Sequence, residues 1–399
     1  MMKRMIGGCA TLLCFTVFAQ EVSRRRDVDF ASLKASCREV EAVKGEEPSL
    51  VPAGDWKLVW NDEFNGTELD KSKWIFRTNF YGRVMKGYTD KGAELDGKGR
   101  LRLKLVLEDG TIKASQLQTG TNYHDAPRNL EPNPWGQAPI WGVGEQPKPT
   151  FMHRYGYWEI RCKFQKLPGW WSAFWIQSPS IGMAPNARYA GVEVDVMENF
   201  HRDGRTTSGS IYGGYGKGYR NGDDRIDYKV DPDCWHRFGL LWTPTNYVYY
   251  CDGREMARSS KMVSQVEQFL IVSCEVKGYR EGKMDKCCEE IRKAAIRPDG
   301  TIIDDAFEVD YVRVFDTGFG RMSEAWSDDV DLATANGRLA ISFPIWALYD
   351  MLPGGNFADP DRTMVELKAH GFNAIRFDDG AGLWRKFLQR LLLPTAPII

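Results

Sequence analysis

The chain has 399 residues, 43% of them hydrophobic and 27% charged, with a formal net charge of −1. That balance suits a soluble globular protein of one full domain and something more, and its near neutrality gives no footing for nucleic acid. The aromatic share of 13%, with 14 Trp, suits a β-rich protein that packs or binds with rings.

In chain order, residues 1–19 come first. Met1-Met-Lys-Arg4 is basic, Met5 to Phe18 is apolar, and Val17-Phe-Ala19 offers a small-residue cleavage site, which together predict a secretory signal peptide and a secreted or periplasmic protein. Cys9 after Ile6-Gly-Gly8 is the weaker sign of a lipoprotein anchor. No later stretch is apolar for long enough to span a membrane. Residues 20–54, with Arg24-Arg-Arg26 and Lys44-Gly-Glu-Glu47, show no sustained periodicity and are predicted to be a polar leader, disordered over much of its length.

From Trp56 onward, short β-branched and aromatic runs recur between turn signals. Leu101–Leu107, Tyr247–Tyr250 and Phe269–Val272 are examples, and their frequency predicts an all-β antiparallel sandwich. Within it, Glu193, Asp195 and Glu198 alternate with Val194, Val196 and Met197. Ionised carboxylates are costly to bury, so such a strand is either an amphipathic edge with its acids in solvent or a site. Regular alternation would send Glu198 to the face opposite Glu193 and Asp195. One extra residue near Val196 or Met197, a β-bulge, would bring all three acids to one face. Two carboxyls so placed can cleave a glycosidic bond by double displacement, and Trp170, Trp171, Phe174 and Trp175 lie close enough in sequence to supply rings for pyranose C–H faces.

Glu193-Val-Asp-Val-Met-Glu198 resembles the bulged E-x-D-x-x-E signature of glycoside hydrolase family 16, in its laminarinase-like and galactanase-like branches. Five further segments are similar to that family's strands in the same order: Trp60–Gly66 with Leu69-Asp70 and Trp74, Tyr155–Arg161, Gly169–Trp175, Trp235–Trp242 with Asp252-Gly253, and Val309–Phe315. The resemblance covers roughly residues 55–316. It implies a jelly-roll, concanavalin A-like sandwich and a retaining endo-β-glycan hydrolase. Glu193 would be the nucleophile, Glu198 the general acid/base and Asp195 the assisting acid. By their position beside the acids Trp170, Trp171, Trp175 and His201 are expected to contact substrate, as is Tyr212, which stands where many members carry His. Asp310 would be a ligand for a structural calcium ion, with no cofactor needed for catalysis. The implied partner is a polysaccharide, either β-1,3-glucan or a marine galactan, and a monomer is expected. A non-catalytic carbohydrate-binding sandwich and a transglycosylase using the same residues are the alternatives.

Seven cysteines lie beyond residue 19, an odd number, with Cys287-Cys288 adjacent; a structural role with one bridge is the expectation. Residues 317–399 change style. Leu339–Phe343 reads as a strand, Asp359–His370 as a helix and Asn373–Phe377 as a second strand, a βαβ pattern. Phe343-Pro-Ile-Trp346 with Gly371–Arg376 resembles the start of a family 5-like glycosidase barrel. The 83 residues are too few to close one, so an incomplete fragment is expected, from truncation or a frameshift after about Leu383.

Overall fold

Between Lys57 and Asp316 the apolar and aromatic runs pair as antiparallel strands. The computed structural model describes residues 26–80, 83–122, 125, 148–167, 170–182, 186–200, 203–215, 224–276, 293–318, 340–343 and 374–377. A nine-stranded sheet runs Arg26–Asp27, Ile226–Lys229, Arg205–Ser208, Glu193–Asn199, Trp170–Gln177, Phe269–Val276, Gln116–Gln118 and Ile75–Phe76, with Ser210–Tyr212 also pairing Glu193–Asn199. An eight-stranded sheet runs Arg254–Ser259, Tyr247–Cys251, His236–Trp242, Gly156–Lys163, Ala306–Asp316, Leu101–Lys104 and Ala93–Leu95, with Lys57–Asp62 beside Ala306–Asp316. This is the β-sandwich that the run of short strands predicts, and it includes the four-residue α-helix Ala187–Ala190.

Period-two alternation builds the layers. On the acidic strand Val194, Val196 and Met197 are buried to within 1% of complete. Burying such a side chain is worth about 1.5–3 kcal/mol, so these three together fix which way the strand faces and turn the acids outward. Trp158 and Ile160 are likewise fully buried, whereas Tyr157, Glu159 and Arg161 point to the other face of the eight-stranded sheet.

That second face is where the sequence expectation fails. Residues 26–54 are not a disordered leader. Arg26–Asp27 adds a parallel edge strand against Ile226–Asp227, and Arg38–Val40 pairs antiparallel with Ser49–Val51. The hairpin seats Val51 against Tyr157, Val248, Tyr250 and Phe315, with Cys37, Val40 and Ala42 packed around them. The backbone of residues 47–50 is spent on buried charges. Arg313, fully buried, forms two hydrogen bonds to Glu63 at 2.9 and 2.7 Å and donates to the Glu47 carbonyl at 2.7 Å. Glu159 accepts from the Leu50 amide at 2.9 Å and from the Tyr311 hydroxyl at 3.0 Å. These strands span only two or three residues, too short for hydropathy periodicity to register; long-range pairing orders them instead.

The leader is therefore part of the domain. A chain beginning at residue 55 is expected to lose about 3–5 kcal/mol, the scale of disrupting a buried charge network. That corresponds to a drop in Tm of about 10 °C in a domain of this size, measurable by calorimetry against the chain beginning at residue 26.

Residues 318–399 form a separate unit. In it the strands Ala340–Phe343 and Ala374–Phe377 pair in parallel, Ile341 opposite Ile375, so both strands expected there are present. The helix expected at 359–370 lies outside the described residues, as do residues 1–25 and Cys287-Cys288.

Candidate active site

The acidic strand carries its extra residue where the spacing of the acids requires one. Across to Trp170–Gln177, Phe174 faces Met197 and Trp175 faces Asp195, so Val196 has no partner and forms the bulge. Towards the other neighbour the register stays continuous, with Glu198 opposite Thr207, Asp195 opposite Ser210 and Glu193 opposite Tyr212. The chain keeps that register by breaking the neighbouring strand at Gly209. Its φ is +85°, its N–H donates to the Asp195 carbonyl at 3.0 Å, and a Cβ there would lie 2.9 Å from the Asp224 carbonyl oxygen. Ser208 Oγ donates to the bulged Val196 carbonyl at 2.6 Å and holds it in place.

Glu193, Asp195 and Glu198 therefore share one face and line an open cleft. The other walls are Arg77, Phe80, Tyr88, Trp171, Ala173, Trp175, Tyr212, Tyr215, Ser273 and Glu275. Trp171 and Trp175 belong to the cleft; Trp170 does not. Alternation turns Trp170 to the opposite face, where it is 1% exposed and packs in the core, so its expected role as a sugar platform is corrected. His201 lies outside the described residues.

The two glutamates sit in different surroundings. Gln177, opposite Glu193 in the register, donates from Nε2 to Glu193 Oε2 at 2.9 Å, and the Tyr215 hydroxyl donates to the same oxygen. Glu198 is more deeply buried. Trp171 Nε1 donates to its Oε1 at 3.2 Å and Ser210 Oγ to its Oε2 at 3.3 Å. Burial, reinforced by the charge of Glu193, pushes the Glu198 carboxyl up to about 7, although Arg225 and the two hydrogen bonds pull the other way. A carboxyl poised there can hold a proton at neutral pH and release it to a leaving oxygen.

Tyr212 stands opposite Glu193, and Arg225 donates to its hydroxyl at 2.9 Å and to Ser210 Oγ at 3.0 Å. Burial and the Asp195 carboxylate push the phenol well above its ordinary range, so Tyr212 stays protonated and able to donate. Asp310 is bound differently from the expectation. Its Oδ2 accepts from Arg161 Nη1 at 2.7 Å, so in this structure the carboxylate carries a guanidinium partner.

Several residues in and behind the cleft wall escape sequence reading. Gln177 follows Trp175 by two and so belongs to the cleft face by period two; that signal was present. Arg77, Asp125, Tyr215, Arg225 and Glu275 come from segments that only the fold assembles.

Residues 141–276 match the family model described as glycosyl hydrolases family 16. The chain is similar to glucan endo-1,3-beta-glucosidase A1 of Niallia circulans, 27% identical over 203 residues that make up 49% of this chain and 28% of that protein. It is similar also to a glucan endo-1,3-beta-glucosidase of Cryptopygus antarcticus, 26% identical over 224 residues, 50% of this chain and 67% of the relative. The chain thus spans little more than a quarter of the first relative's length. Among solved structures, the laminarinase from Flavobacterium sp. UMI-01 is 17% identical, with a TM-score of 0.45, over 65% of this chain and 100% of that one.

Proposed function

We propose that this chain is a retaining endo-β-glycan hydrolase that acts on β-1,3-glucan. The family match and the relatives support an endo-acting glycoside hydrolase of family 16. The observation that carries the mechanism is the bulge at Val196, which brings Glu193, Asp195 and Glu198 to one wall of a cleft while leaving the two glutamates in unlike environments. A Glu193 carboxylate oxygen bonds to the anomeric carbon as the bond to the leaving oxygen breaks, and Glu198 gives that oxygen its proton. Water then attacks the same carbon, its proton passes to Glu198, and the Glu193 carboxylate departs. Asp195, between them on the strand, assists by sharing charge and hydrogen bonding across the pair.

Two considerations favour a neutral glucan over a sulfated galactan. The relatives are named as glucan endo-1,3-beta-glucosidases. The described cleft walls carry three carboxylates, Glu193, Asp195 and Glu275, beside the proton-holding Glu198, against one guanidinium, Arg77, already paired with Asp125 at 2.7 Å. Anionic chains meet repulsion there. The signal-like residues 1–19 support export from the cell, which N-terminal sequencing of the mature protein tests.

In a panel of laminarin, lichenan, agarose, porphyran and carrageenan, laminarin is expected to release reducing ends fastest, as a ladder of oligosaccharides. Preferential cleavage of porphyran or carrageenan would overturn the substrate assignment and leave the reaction type standing.

A further inference from the structure

The wall behind Glu193 contains a buried ion pair that the reaction as described does not use. Arg77 Nε donates to Asp125 Oδ1 at 2.7 Å, and the Asn122 amide donates to Asp125 Oδ2 at 3.3 Å. The guanidinium sits between two rings, 4.3 Å from the centroid of Phe80 and 5.1 Å from that of Trp175. Arg77 is 2% exposed and Asp125 8%. Burying two charges is expensive, and an apolar pair of the same volume would serve packing as well or better.

The pair reaches Glu193 through Gln177, whose Nε2 also donates to the Tyr215 hydroxyl. Gln177 Oε1 accepts from Arg77 Nη2 at 3.3 Å and from Asn122 Nδ2 at 2.5 Å, while Gln177 Nε2 donates to Glu193 Oε2. Those contacts fix which way the amide points. Two donors crowd one end and a carboxylate waits at the other, so a flipped amide would turn N–H against N–H and oxygen against oxygen. Arg77 thus supplies positive charge at the far end of the amide that donates to Glu193. In a dry wall, chained hydrogen bonds polarise one another and strengthen the last of them.

We infer that Arg77, anchored by Asp125, is a positioning residue that acts through Gln177 to hold the Glu193 carboxylate ionised and aimed across the cleft. The inference rests on the nucleophile role proposed for Glu193. Among the described residues, the charged or titratable groups around Glu193 include Asp195 and Glu198 on its own strand, Tyr212 and Tyr215 from the opposite side, and Tyr88 and Glu275 elsewhere on the cleft wall. Asp195 and Glu198 oppose its ionisation, and the N–H that Gln177 is held to present to Glu193 counters them.

The test measures kcat, KM and the pH profile of kcat/KM on the full chain for Gln177→Met, Arg77→Lys, Arg77→Met and the double variant Arg77→Met with Gln177→Met. Gln177→Met keeps the volume and the Arg77–Asp125 pair but cuts the connection. It is expected to lower kcat about 10- to 100-fold, the scale of a misaimed reacting group, with KM within about 2-fold and the acidic limb of the profile moved upward. Arg77→Lys should restore part of what Arg77→Met loses, and Arg77→Met should add nothing to the limb shift once Gln177 is Met. An acidic limb unmoved in Gln177→Met, or a loss lying wholly in KM, would overturn the inference; if Arg77→Met does not fold, Gln177→Met decides alone. Glu193→Gln measured alongside separates the two levels. An active Glu193→Gln sinks the nucleophile assignment itself, whereas an inactive one beside an unaltered Gln177→Met sinks only the positioning role.

Discussion

Glu193→Gln is expected to lower turnover of polysaccharide about 10⁴-fold or more while leaving binding within a few-fold, because the amide keeps the volume and loses the nucleophilic oxygen. The fold should tolerate the change. Glu193 is the most exposed of the three acids, and the Gln177 and Tyr215 donors that it accepts from can still meet an amide oxygen. Retained affinity with lost turnover, read by calorimetric titration beside reducing-end release, separates a missing nucleophile from a collapsed cleft. Cleavage at the wild-type rate would remove Glu193 from the mechanism.

Glu198→Gln carries the second large effect, and its size should depend on the leaving group. A positioned general acid contributes about 10²- to 10⁴-fold, so polysaccharide cleavage should fall by that factor, while an aryl glycoside with a good leaving group should lose far less in the first step. The pH dependence follows from burial. Glu198 must be protonated in the free enzyme, and with its carboxyl pushed up to about 7, kcat/KM should decline as pH rises through that value. The variant should lack this alkaline limb. The same shift affects folding in a fixed direction. Between about 4.5 and 7 the folded protein holds a proton at Glu198 that the unfolded chain has released, so the stability tied to that proton is complete below about 4.5 and is lost as pH rises through 7. Glu198→Gln should therefore raise Tm more at pH 8 than at pH 4.5.

The acidic strand is the part of the molecule that sequence reading reaches most fully. Acids spaced at 193, 195 and 198 among core valines admit one face only with an extra residue, and Val196 is that residue. The same period-two logic places Trp171 and Trp175 beside the acids and rules out Trp170, whose odd offset turns it into the core. Proximity in sequence suggested four aromatic residues as one cluster; alternation divides them between two faces. The leader failed as an expectation for a different reason. Its strands are two or three residues long and are ordered by partners far off in sequence, Ile226–Asp227 for the first and Arg313, Glu159 and Tyr311 for residues 47–50. Arg77 and Asp125 could not be read at all, because nothing local distinguishes a buried arginine from a surface one until Phe80, Trp175 and Gln177 close around it.

The roles of Glu193 and Glu198 as nucleophile and acid/base can be separated by a single product. Glu198→Ala supplied with an aryl β-laminaribioside and azide should form the glycosyl-enzyme on Glu193, and azide, needing no general base, should then displace Glu193. Proton NMR of the glycosyl azide is expected to show the β configuration, from two inversions at the anomeric carbon. An α-glycosyl azide would mean a single direct displacement and would contradict the assignment of Glu193 as the nucleophile.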